Sequence, residues 1–221
     1  MVKKSIEKIV IFGSSGGIGS YLLKHFRKNY DVLSISKKKS GGVNNLSFSN
    51  FNSDNNYLYP KNNNIKDYIF NSTGIIISIG KFKKSKNNLD LNLHLSNFEV
   101  NYKLINYLVK NKKKFKNNCR LIVITSMNSE IINLNSLQYA MSKSKLSMAI
   151  KSFKSQLKTS KLSIEDLMPG PINTKMRKKK ILNNLSKNDV YQLCDFLIKF
   201  NCEITFDKIK VFNKRNYFNK Y

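Results

Sequence analysis

Cysteine is scarce: the 221 residues hold three, Cys119, Cys194 and Cys202, an odd number at scattered positions. That count and spacing fit neither a disulfide framework nor a zinc site, so no metal is expected and a reducing cytoplasm is the expected compartment. Cys194 lies in an apolar helical pattern with no His or Lys beside it to stabilise a thiolate, which argues against a catalytic thiol. Long apolar runs are missing as well. Met1 to Lys8 is polar and Ile9 to Phe12 is far shorter than a secretory signal core. No stretch approaches the length of a membrane span, and no membrane partner is expected. The length suits one α/β domain over residues 1–221 and is short for two.

Acidic residues and arginine are also few. Asp and Glu number 13 against 40 Lys and Arg, a formal net charge of +27. Such a balance suits phosphate neutralisation on nucleic acid. The excess is almost all Lys, however, scattered through a chain rich in Asn, Ile, Phe and Tyr. Arg, whose planar fork reads bases best, occurs only at Arg27, Arg120, Arg177 and Arg215. With no nucleic-acid-binding motif present, the charge reads as a general bias of residue usage, and no nucleic acid partner is expected.

What is present is an alternation. Lys8 to Phe12 is a short β-branched run that stops at Gly13, as a buried parallel strand does. Ile18, Leu22, Leu23 and Phe26 then recur at helical spacing until Asn29. Asp31 to Ile35, Asp67 to Phe70 and Arg120 to Ile124 read as further strands, with Leu162 to Met168 and Ile209 to Phe212 as the last two. Long helices are expected from about Leu95 to Leu108, ending in the Lys-rich Lys110 to Lys116, and from Tyr139 to Thr159. Strands alternating with helices predict a Rossmann-type, doubly wound parallel sheet. The Asn-rich stretches Asn50 to Asn64 and Lys81 to Asn92 are too aperiodic to assign.

Gly13-Ser14-Ser15-Gly16-Gly17-Ile18-Gly19 follows the first strand and opens the first helix, the context in which a glycine motif has meaning. Glycines there permit a tight turn and a close backbone approach to a pyrophosphate, which the helix N-terminus favours. The spacing is G-x-x-x-G-x-G. Tyr139 and Lys143 are four residues apart, on one helical face, where the ammonium favours the phenolate. Alone this pair is weak, because a Lys-rich chain produces it by chance. Ser126 ends the preceding strand, at the edge where open α/β sheets bind ligands, thirteen residues before Tyr139. Asn101 lies mid-helix, where Asn has poor propensity; a polar task and an idle Asn both fit.

These motifs, together with Asn71-Ser72-Thr73-Gly74 and Pro169-Gly170-Pro171-Ile172-Asn173-Thr174, resemble the short-chain dehydrogenase/reductase family in order and spacing over nearly the whole chain. The resemblance implies catalytic roles for four residues. Tyr139 is then the general acid/base, Ser126 polarises a carbonyl or alcohol, Lys143 lowers the phenol's pKa and holds the nicotinamide ribose, and Asn101 holds a relay water. It further implies a dinucleotide site made by Gly13, Ser15, Gly17, Ile18 and Gly19, by Asn71 and Gly74, and by Pro169, Gly170, Ile172 and Thr174, the last at the carboxamide. The implied activity is reduction of a small-molecule carbonyl, or oxidation of the corresponding alcohol, by a homodimer or homotetramer. A non-redox epimerase or dehydratase and a catalytically idle dinucleotide-binding protein are the alternatives. Phe12 departs from the family's usual Thr, and the stretch from Thr174 to Asn188 is short for a substrate-covering flap.

The second strand ends in Ser36-Lys37-Lys38-Lys39, with no acid to accept the adenosine ribose hydroxyls. Ser36 and Lys37 suit a 2′-phosphate, so NADP(H) is expected to be preferred, with NAD(H) possible. An ordinary solvated lysine loop is the other reading of Lys37 to Lys39.

Overall fold

Along each central strand, alternate residues enter two different cores, the period-2 signature of a sheet covered on both faces. Val10, Phe12, Ile75, Ile77, Leu121 and Val123 belong to one cluster, and Ile9, Ile11, Ile76, Ile122 and Ile124 to the other. The computed structural model describes residues 7–37, 45–82, 91–130, 136–174, 184–200 and 203–214.

The strands are β1 (Lys8–Phe12), β2 (Asp31–Ser36), β3 (Asn45–Ser47), β6 (Gly74–Ile77), β7 (Cys119–Ile124), β8 (Leu162–Pro169) and β9 (Ile209–Val211), in the spatial order β3-β2-β1-β6-β7-β8-β9. All six pairings are parallel. The order reverses between β1 and β6, which opens a crevice at the carboxyl ends of these strands. Helix α1 (Gly19–Phe26) and α6 (Lys187–Lys199) cover one face through Leu22, Phe26, Val190, Cys194 and Leu197. On the other face lie α2 (Asn63–Phe70), α4 (Val100–Lys110) and α5 (Leu137–Ser155), which contribute Ile65, Ile69, Leu104, Leu108, Leu146 and Ile150. The expected Rossmann-type architecture is therefore the observed one.

One expected strand is a helix. Asp67 to Phe70 forms the last turn of α2, which begins where the Asn62 side chain accepts a hydrogen bond from the Ile65 amide at 2.9 Å. That is an N-cap, and Ile65, Tyr68 and Ile69 then follow at helical spacing. Asn71 closes the helix, donating from its side chain to the Asp67 carbonyl at 2.6 Å. The strand comes later, at Gly74–Ile77. Asn71 and Gly74, expected beside the cofactor, thus lie at the amino end of the sheet, away from the crevice. The Asn-rich segment between residues 50 and 64 also acquires structure, as the antiparallel pair β4 (Phe51–Ser53) and β5 (Leu58–Pro60). Phe51 packs against Phe12 at 5.9 Å between ring centroids, which is why a bulky ring ends β1.

Gly74 has a packing role in this position. A Cβ built there would meet the Ile198 Cδ1 at 2.8 Å. Gly74→Ala should therefore cost about 1–3 kcal/mol by overpacking while leaving dinucleotide affinity unchanged. In an Ile198→Ala background the same substitution should cost less, with a coupling of about 1 kcal/mol in denaturant titrations. A loss of dinucleotide affinity with stability intact would return Gly74 to the binding site.

Candidate active site

The first loop is shaped by steric necessity. Gly13 has φ +86°, the one positive value among the described residues, and a Cβ there would fall 2.7 Å from the carbonyl carbon of Ser78. Only glycine tolerates both conditions. A Cβ on Gly19 would lie 2.9 Å from the carbonyl carbon of Gly13, so α1 starts in contact with the turn that precedes it. The Gly13 amide donates to the Ile35 carbonyl at 2.8 Å and the Gly16 amide to the Gly13 carbonyl at 3.0 Å. Gly13 and Gly19 therefore build the turn. Gly16, Gly17 and Ile18 line the cleft above it, and Ser15 is exposed beside them. The Thr174 Cβ faces Gly17 from across the opening, 3.4 Å from where a Cβ would sit.

The cleft's opposite wall comes from the ends of β7 and β8 and the start of α5. Ser126, Tyr139, Lys143, Pro169, Gly170, Ile172 and Thr174 all line it, as the motif order predicts. Ser126 caps a short turn, its hydroxyl accepting from the Asn128 amide at 3.2 Å. The half-buried Tyr139 ring meets Phe82 edge-on, with centroids 5.1 Å apart. Lys143 is 3% exposed; its Nζ lies 3.5 Å from the Ile124 carbonyl and 6.0 Å from the centroid of the Tyr139 ring. Burial pushes the Lys143 ammonium down to a pKa of about 8, against the opposing pull of Asp166. A lysine so placed is poised close to neutral pH, which is characteristic of functional sites.

Asn101 is buried beneath this wall. Its amide nitrogen donates to the carbonyls of Asn97 at 3.1 Å, Ser96 at 3.2 Å and Ile79 at 3.4 Å. The reason is local. Helix α3 (Leu91–His94) runs into α4 through a π-helical segment (Leu95–Glu99), and such a segment displaces carbonyls from the ordinary ladder. One turn earlier, buried Asn97 accepts from the Lys81 amide at 2.7 Å and donates to the Lys81 carbonyl at 2.9 Å. The two side chains together clamp residues 79–81, the segment that leaves β6 and lines the cleft at Ser78, Ile79 and Gly80. Those three residues stand where Asn71 to Gly74 were expected. Asn97, Ser78 to Gly80 and Phe82 are not among the residues that the motifs mark out. The Asn97/Asn101 spacing of four and the strand-like run before Ser78 were the available signals.

At the end of β2, Ser36 is 1% exposed and Lys37 is exposed, with its carbonyl accepting from the Ser47 hydroxyl at 3.4 Å. Lys38 and Lys39 lie outside the described residues, as does much of the short stretch after Thr174. The glycine cradle, the open face over Gly17 and Lys143 below it could hold a dinucleotide.

The family model for short chain dehydrogenases matches residues 66–184, more than half of the chain. No curated protein matches by sequence. Among solved structures, a short chain dehydrogenase from Burkholderia cenocepacia J2315 in complex with NADP aligns with a TM-score of 0.71 at 13% identity, over 96% of this chain and 91% of that one. A 3-ketoacyl-(acyl-carrier-protein) reductase from Brucella melitensis complexed with NADH aligns with a TM-score of 0.72 at 16% identity, over 95% and 98%. A short chain dehydrogenase family protein from Francisella tularensis gives 0.71 at 16%, over 94% and 97%. At such identities the structures establish the fold, and with the family match they identify what the sheet order and the cleft had already outlined: the chain belongs to the short-chain dehydrogenase/reductase family.

Proposed function

We propose that the protein is an NADP(H)-dependent oxidoreductase that reduces a small-molecule carbonyl, or oxidises the corresponding alcohol, with Tyr139 as general acid/base. The observation that carries this reading is the convergence of Ser126, Tyr139 and Lys143 on one cleft whose floor is the glycine turn. The bound nicotinamide supplies or accepts the hydride. Ser126 holds the carbonyl oxygen by a hydrogen bond, and the Tyr139 hydroxyl delivers the proton to it in the direction of reduction. Lys143, as an ammonium beside the phenol, favours the phenolate left behind and would hydrogen-bond the ribose of a bound cofactor. Asn101, buried behind the cleft, holds the turn of helix beneath them, and in this reading it would hold a relay water. Ile79, Phe82, Met127 and Ile172 make the cleft walls apolar, which favours a substrate with an apolar body around its carbonyl. Cys119 and Cys194 are buried thiols, in keeping with a reducing cytoplasm. No helix among the described residues is long and apolar enough to cross a membrane.

Tyr139→Phe keeps the ring against Phe82 and removes the proton donor. Turnover of NADPH against a panel of keto-sugars and acyl ketones should fall by about a hundredfold or more, with the NADPH dissociation constant nearly unchanged. Activity within a few-fold of wild type would remove Tyr139 from the mechanism.

The NADP(H) preference rests on exposed Lys37 and the absence of an acid after β2. With Ser36 buried, the charged contact to a 2′-phosphate falls to Lys37. Such a contact contributes roughly 1.5–3 kcal/mol, so NADPH should bind about tenfold or more tighter than NADH, less so at high salt. Titration calorimetry on wild type and Lys37→Ala checks this; an unchanged ratio in the variant would exclude Lys37.

Assembly as a homodimer or homotetramer is supported by the apolar side chains left on the α3 and α5 surface, where Leu91 is 64%, Met141 51% and Met148 73% exposed. Met141 and Met148 are two helical turns apart on one face, a stripe suited to a symmetry-related helix. Sedimentation at micromolar concentration should show a species larger than monomer, and Met141→Lys with Met148→Lys should dissociate it. A monomeric wild type would refute the interface.

A further inference from the structure

Asp166 lies on β8, three residues before Pro169, and is 2% exposed. Both of its carboxylate oxygens are engaged by hydroxyls, one from the end of β7 and one from α5. Oδ1 accepts from Thr125 Oγ1, the residue immediately before Ser126, and Oδ2 accepts from Ser147 Oγ on α5, one helical turn beyond Lys143. The Thr125 amide is also tied to this strand, donating to the Leu167 carbonyl at 2.8 Å. One carboxylate therefore joins the strand end that carries Ser126 to the helix that carries Lys143, with β8 between them. The charges that act around it are cationic. Lys143 and Lys154 come from α5 and Lys208 from the segment before β9, while neighbouring Glu165 is paired with Arg120 and Lys154.

Resting on the oxidoreductase reading above, we propose that Asp166 is a positioning residue: its carboxylate fixes Ser126 and Lys143 in mutual register and provides the buried negative charge that Lys143 faces. A buried carboxylate is costly unless its oxygens are hydrogen-bonded. Burial pushes the Asp166 carboxyl up, and the Ser147 and Thr125 hydroxyls, then the lysines, pull it back. A neutral residue of the same shape would avoid that cost, so the retained charge has to act on something, and Lys143 is the adjacent group whose protonation matters to the reaction. The sign follows from electrostatics. Removing a negative charge disfavours the ammonium, so Lys143 should lose its proton at lower pH without Asp166.

The test has a readout that needs neither cofactor nor substrate. In full-length protein labelled with 13C at lysine Cε, the resonance missing from Lys143→Met reports the Lys143 titration, whose midpoint in wild type should fall below the ordinary lysine value, at about 8. Asp166→Asn should lower that midpoint by about one pH unit, a tenfold change in proton affinity. The same variant should lose about tenfold in kcat at pH 7, with KM for the carbonyl compound turned over fastest by wild type nearly unchanged. Ser147→Ala and Thr125→Val, which each remove one tie and leave the charge, should lower kcat a few-fold and move the midpoint little; they carry the test of register if Asp166→Asn does not fold. An unmoved Lys143 midpoint with kcat within twofold in folded Asp166→Asn would overturn the proposal, as would full activity in both hydroxyl variants. A wild type that neither binds NADPH nor reduces any carbonyl would instead overturn the oxidoreductase reading, and the Lys143 midpoint would still decide the link to Asp166.

Discussion

The turn at Gly13 has no room for a side chain, and the placement of the whole cleft depends on that contact. Its amide is bonded to Ile35 at the end of β2, and its α-carbon abuts the Ser78 carbonyl just past β6. The Ser78 amide in turn donates to the Phe12 carbonyl at 2.8 Å. Three parallel strands thus end at one level, bound through a residue without a side chain. Because the sheet order reverses at β1 and β6, the chain must leave in opposite directions there, and the space between is the crevice. A larger residue at Gly13 would force β1 and β6 apart before any ligand was present.

Around that fixed level, polar side chains rather than apolar packing set the fine geometry. Asn97 and Asn101 hold residues 79–81 by their backbone, and a Cβ on Gly80 would come 2.7 Å from Asn97 Oδ1 and 3.2 Å from Lys143 Nζ. The loop, the π-helical segment and the lysine are thus mutually in contact with no slack. Each of these amides is buried and bonded, which in a low dielectric makes the arrangement specific, since a shift would strand a donor at a cost of about 1–3 kcal/mol. At the junction of the π-helical segment with α4, the Asn101 amide reaches the Ser96 and Asn97 carbonyls of its own helix and the Ile79 carbonyl of the loop.

Local signals made much of this legible. Strands β1, β2, β7 and β8 are β-branched runs bounded by turn residues, and they fall where the pattern places them within a residue or two. The helices α1 and α5 differ only in their ends, which fray in any such reading. Asp67 to Phe70 misled because four residues of strand-like composition cannot be told from the last turn of a buried helix by periodicity alone. The Asn62 cap, five residues upstream, was the deciding feature. Asn71-Ser72-Thr73-Gly74 consequently precedes the strand, and Ser78-Ile79-Gly80, which follows it, lines the cleft instead. Tyr139, Lys143 and Ser126 were legible because each is set by strand-end or helix-start position. Asn97 and Asp166 were not, since their partners at residues 81, 125 and 147 are brought near only by the fold.

The scarcity of acid gives the last constraint. With 13 carboxylates against 40 basic residues, each acid faces many cations, and those described are largely committed. Glu165 is buried with Arg120 and Lys154, Glu130 bridges Lys208 and Lys210, and Asp195 pairs with Lys199 and with the Tyr30 hydroxyl at 2.8 Å. Glu130 and Glu165 both bind the chain around β9 to the central sheet, Glu165 also accepting from the Phe206 amide at 3.1 Å. The exposed pairs contribute little individually. Buried Glu165 differs, because removing one partner would leave charge without compensation inside the sheet edge. Glu130, Glu165 and, through Tyr30, Asp195 therefore join elements distant in sequence, while the lysine excess is left largely on the surface, where it governs solubility and repulsion between molecules. Among the described residues that line the cleft, Lys143 is the buried ammonium, and the Asp166 carboxylate on β8 acts on it as an opposing charge.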